Sequence, residues 1–145
     1  MIVYVDANPI YICVVTKGQD RIIRPLVNPP QPITTAELLA VLFALETYKG
    51  DLIIMSDSLS AVKMLQGRNF PKNPIYSNIV HQYIEYIQQR KVILQWVDRK
   101  HNIAGKILEH QKDLLNARYF DKIDRLNNSR LADDELELWG GKYNV

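Results

Sequence analysis

A chain of 145 residues, 47% apolar and 23% charged, suits one domain with a real core and excludes a disordered, fibrous or disulfide-framed protein. The longest apolar stretches, such as LLAVLFAL, are far short of a membrane span, and the lone Cys13 rules out an internal disulfide, so a cytoplasmic protein is the expectation. The net charge of +2 is uneven, with 13 Lys/Arg against 9 Asp/Glu in residues 1–112 and 5 against 7 in 113–145. The front of the molecule is therefore mildly basic, which permits contact with phosphates without requiring it.

In chain order, residues 1–7 read as a strand, Asn8-Pro9 as a turn and 10–15 as a second strand. Turn chemistry at Lys17-Gly18-Gln19-Asp20 leads to a third strand over 21–26, completing an antiparallel meander. The run VNPPQP ends regular pairing because proline lacks the backbone donor. Thr34 or Thr35 is positioned to cap a helix in which Leu38, Leu39, Val41, Leu42 and Leu45 keep helical spacing up to Lys49-Gly50. A fourth strand covers 52–56. Ser58 or Ser60 then caps a short helix ending at Gly67, and a longer helix runs over about 76–89. Residues 92–97 form a fifth strand, with Trp96 expected in the core. A long helix starts near Asn102 and extends to about 127, and 128–145 read as an extension packed on the same domain. Right-handed crossovers set the first, fourth and fifth strands parallel. The expected fold is thus an α/β mixed five-stranded sheet, an antiparallel meander plus two parallel strands, with helices on both faces.

Three acids stand out: Asp6 in IVYVDA, Glu37 in TTAELLAVLFALE and Asp57 in DLIIMSDSLSAV. The first and last end apolar strand runs, and the second opens a helix. A buried carboxylate is costly unless paired, and a divalent cation is one suitable partner. If the two strands are neighbours and the helix lies across them, the three converge as a metal site. Ser56 and Ser58 read as caps, since no histidine has triad spacing. His81 and His110 fall on helix surfaces, and Asp133, Asp134, Glu135 and Glu137 form a solvated acidic face. The chain carries no Gly-rich phosphate loop and no zinc-ligand cluster.

With YVDA, ITTAELLAVLFALE, IIMSDS and WVDRKHN in this order over residues 1–112, the chain resembles the ribonuclease H family, including the ribonuclease H domains of reverse transcriptases. The resemblance implies a Mg²⁺- or Mn²⁺-dependent endonuclease. In that family two ions held by four carboxylates hydrolyse the RNA strand of an RNA–DNA hybrid. It assigns Asp6 to bridge both metals, Glu37 to hold one, and Asp57 to orient the attacking water and its ion. The family's fourth acid aligns with Lys106. Glu109, three residues on and on nearly the same helix face, is the substitute, ahead of Asp113 and Asp98. Positions that contact the RNA 2′-hydroxyl align with Ile33 and Leu59, which cannot hydrogen-bond. Arg68, Lys72, Arg99, Lys100, His101 and Lys106 are the expected phosphate contacts. Two alternatives stay open: a DNA-acting, resolvase-type nuclease of the same fold, and a nucleic-acid-binding module that has lost hydrolysis.

Overall fold

The computed structural model describes residues 1–18, 20–67 and 70–111. The chain divides into two compact units, Met1–Leu108 and Glu109–Val145. The expected end of the domain at residue 127 and the extension beyond it lie outside the described residues. In the first unit the strands are β1 (Ile2–Ala7), β2 (Tyr11–Thr16), β3 (Arg21–Pro25), β4 (Leu52–Ser56) and β5 (Val92–Trp96). The helices are α1 (Ile33–Thr47), α2 (Leu59–Gly67) and α3 (Pro74–Ile87). A 3-10 turn at Arg99–His101 leads into a further helix at 103–111, α4.

The sheet order is β3-β2-β1-β4-β5, with β1–β2 and β2–β3 antiparallel and β1–β4 and β4–β5 parallel. This is the mixed sheet expected from the strand and crossover pattern. Alternation along the strands divides the core in two. Val3, Val5 and Ala7 of β1, with Leu52 and Ile54 of β4, pack under α1, α2 and α3. On the opposite face Cys13 and Val15 of β2 pack with Ala104 and Leu108 of α4. Each buried Val or Leu stabilises by ~1.5–3 kcal/mol, so this two-sided core can offset a few costly polar groups held against it.

The local signals act largely as expected, with one correction. Helix α1 begins at Ile33, one residue before the expected cap, and neither threonine caps it. Pro32 holds the N-cap position without a side-chain bond, and its carbonyl accepts from the Ala36 N–H at 2.9 Å. Proline suits a helix entry because its fixed φ is already near the helical value. Thr35 is instead buried inside the first turn. Asn73 caps α3 by accepting from the Ile75 N–H at 2.9 Å, with Pro74 next to it. At the other end of α1, Arg90 donates to the carbonyls of Leu45, Tyr48 and Gly50, satisfying groups that a helix end leaves bare. Gly50 takes φ +84, a conformation suited to glycine.

Candidate metal centre

The parallel pairing of β1 with β4 decides where the acids go. Val5 lies opposite Ser56, so the residues that follow, Asp6 and Asp57, come side by side at the carboxyl ends of two adjacent parallel strands. Val3, Val5 and Ala7 face the α1 side, so Asp6 faces the α4 side; Asp57, odd-numbered like Ile53 and Met55, shares it. Glu37 sits in the second turn of α1 and is only 6% exposed. One ligand oxygen from each of the three lies within 4.8 Å of the other two. Among the described residues no other group of three or more His, Cys, Asp or Glu side chains is gathered this way.

Among the described residues no positive side chain forms an ion pair with these acids. The single ion pair among them joins His101 to Asp98 and involves none of the three acids. Oε2 of Glu37 is buried with no hydrogen-bond partner. A buried acceptor without a donor costs about 1–3 kcal/mol, more when charged, so its presence calls for a ligand. Burial raises the Asp6 carboxyl from 3.8 to about 6, and the Asp57 charge adds to the rise. The Glu37 carboxyl is raised further, again by burial first and then by the Asp6 charge. The Ala7 backbone pulls both down by hydrogen bonding without reversing either shift. Without a cation, Glu37 is therefore the acid that keeps its proton.

Helix α4 enters beside this cluster under strict control. Asn102 is fully buried, and its Nδ2 donates to the Val5 carbonyl at 2.9 Å while its Oδ1 accepts from the Ala104 N–H at 3.1 Å. One side chain thus caps α4 and ties its start to the strand carrying Asp6. Gly105 follows, and a Cβ built there would stand 3.0 Å from Asp6 Oδ2 and 3.8 Å from Asp57 Oδ2. The sequence contained a signal for Asn102, since Asn before a helical run is a cap pattern. It contained none for the approach at Gly105, which depends on packing between distant segments.

The remaining expected site residues are distributed differently. Asp98 caps the 3-10 turn by accepting from the His101 N–H, and the His101 ring holds its carboxyl below the usual carboxylate range. Arg99, Lys100 and His101 are exposed and follow β5 at the carboxyl end of the parallel strands, the end where Asp6 and Asp57 lie. Lys72 and Lys106 are exposed. Glu109 is exposed and opens the second unit, and it is not among the three clustered acids. Arg68 and Asp113 lie outside the described residues. Ser56 accepts from the Ser58 N–H and Ser58 from the Ala61 N–H, the capping roles expected of them.

Trp96 corrects the expectation of a core residue. It is 46% exposed on edge strand β5, with Nε1 donating to the Asp57 carbonyl at 3.2 Å. A strand pattern alone does not reveal that β5 lies at a sheet edge. Ile33 and Leu59, about half exposed, show that apolar side chains near the acids in sequence face solvent. Cys13 is buried as expected, and burial pushes its thiol up to about 12. Among the described residues no helix is long and apolar enough to cross a membrane. Compared with known proteins, the chain matches no family model and no curated sequence.

Proposed function

We propose that this protein is a divalent-cation-dependent endonuclease that hydrolyses the RNA strand of RNA–DNA hybrids, with Asp6, Glu37 and Asp57 as its metal ligands. The observation that carries the reading is the meeting of three acidic oxygens within 4.8 Å, with no basic partner among the described residues and with Glu37 Oε2 left bare. The donor set fits Mg²⁺ or Mn²⁺, which take carboxylate oxygens and keep waters and substrate phosphate as further ligands.

A divalent cation supplies Lewis-acid polarisation of the phosphodiester and a bound water acidic enough to attack at neutral pH. The chain's own part is placement. Asp6 interacts with both of the others and would hold the cation together with them. Asp57 stands at the open end of β4 and is the acid placed to orient the attacking water. Glu37, the most buried, secures the site from the α1 side. Exposed Arg99 and Lys100 at the same end of the parallel strands suit the phosphates of an incoming strand, a contact that weakens as salt rises. The hybrid as substrate rests on the order of the sequence motifs.

The test is cleavage of an end-labelled RNA–DNA hybrid in Mg²⁺ or Mn²⁺. Asp57→Asn is expected to lower the rate by about 100-fold or more, as loss of one positioned electrostatic group commonly does. Cutting of branched DNA with the hybrid left intact would move the assignment to a DNA-acting nuclease. Salt-sensitive binding without cleavage of either would leave a binding module.

A further inference from the structure

Among described helical residues, Gly105 has an unusual environment. It sits in the first turn of α4, where glycine is less favourable than alanine, so the helix itself has no use for it. The three atoms nearest to a Cβ at this position are all carboxylate atoms: Asp6 Oδ2 at 3.0 Å, Asp6 Cγ at 3.7 Å and Asp57 Oδ2 at 3.8 Å. No apolar atom and no backbone atom of the sheet is nearer. The missing side chain therefore does not serve helix-on-sheet packing, which Ala104 and Leu108 provide from the same helix. It leaves room on the face that Asp6 and Asp57 share.

We infer that Gly105 is a positioning residue whose bare backbone keeps the space beside Asp6 Oδ2 and Asp57 Oδ2 open for a hydrated divalent cation. The inference rests on the proposed metal site and adds a residue to it that supplies no ligand atom. A methyl group at 105 forces the Asp6 carboxylate to turn or withdraw by some tenths of an ångström, because β1 and the Asn102 tie hold both backbones in place. Coordination distances tolerate little such movement. The free protein, which has no ion to accommodate, tolerates it better. Metal affinity and apo stability are thus expected to separate, whereas a purely structural glycine would move both together.

The experiment compares Mn²⁺ binding by isothermal titration and thermal unfolding without cation for the full chain and for Gly105→Ala. The expected result is an apo melting temperature close to that of the unchanged protein and Mn²⁺ affinity at least tenfold weaker. Equal Mn²⁺ affinity in the two proteins overturns the role of Gly105 while leaving the metal site standing. Failure of the unchanged protein to bind Mn²⁺ overturns the metal site itself. If Gly105→Ala does not fold, the double variant Asp6→Gly, Gly105→Ala decides. Removing the carboxylate that the methyl group meets should restore the fold, and a double variant that stays unfolded refutes the inference.

Discussion

Asp98 and the cluster of Asp6, Glu37 and Asp57 are held in opposite ways. Asp98 is half-exposed, receives hydrogen bonds from the His101 ring and N–H, and ionises more readily than usual. Asp6 and Glu37 are pressed between the sheet and its helices, face one another and Asp57, and ionise less readily than usual. Asp98 satisfies its charge within a four-residue turn. The cluster cannot satisfy its charges with any described side chain. An acid that helps its own fold is a local capping device, whereas acids that strain the fold need something from outside.

The largest expected effect comes from breaking the link between the two. Asn102 stands one residue after the Asp98–His101 turn and hooks the Val5 carbonyl beside Asp6. Asn102→Ala removes a buried bond and a helix cap together, and should cost ~2–4 kcal/mol in chemical denaturation while weakening Mn²⁺ binding. Unchanged stability would show that α4 is held by its apolar face alone.

Next in size, Glu37→Gln keeps the shape but removes the carboxyl that gives up its proton to a bound cation. The cation-free protein, in which Glu37 holds its proton, should keep nearly its full stability at neutral pH, and most of the stabilisation conferred by added Mn²⁺ should vanish. Undiminished stabilisation of the variant by Mn²⁺ would remove Glu37 from the site.

A pH series sharpens the contrast without mutation. Groups whose carboxyls are raised in the folded protein bind protons more tightly there than in the unfolded chain, so they stabilise at low pH. That contribution is complete below about pH 4 and, for Asp6, is lost as pH rises through about 6, with Glu37 continuing the trend above it. The cation-free protein should therefore lose stability between about pH 4 and 6 from this source, and saturating Mg²⁺ should flatten or reverse the slope. A cation-free stability that rises across that window, after correction in Glu37→Gln, would contradict the shifts. The smallest effect is expected for Asp98→Asn, which should leave the melting temperature and Mn²⁺ affinity nearly unchanged, as exposed pairs usually do.

Much of the fold was legible because it rests on short-range rules. Alternation and helical spacing gave the five strands and the order of helices, and Ser58 acts as the cap its position suggested. At the start of α1 Pro32 takes the N-cap position that threonine chemistry alone would give to Thr34 or Thr35. The exposure of Trp96 was not legible, because a strand's own residues do not reveal whether a neighbour lies beyond it. Arg90 reaching the carbonyls at the end of α1 joins residues more than 40 positions apart, and no local pattern announces it.

By itself, the sequence determined that three acids end or open regular elements, since residue type and periodicity are properties of neighbours along the chain. Only the tertiary structure decided that a glycine of α4 stands against the carboxylates of Asp6 and Asp57. Which backbone atom of a helix approaches a strand depends on the side chains that wedge the two apart. Here Asn102 and Ala104 help set that distance, drawing the helix close enough to the acids that a Cβ at 105 would press on the Asp6 carboxylate.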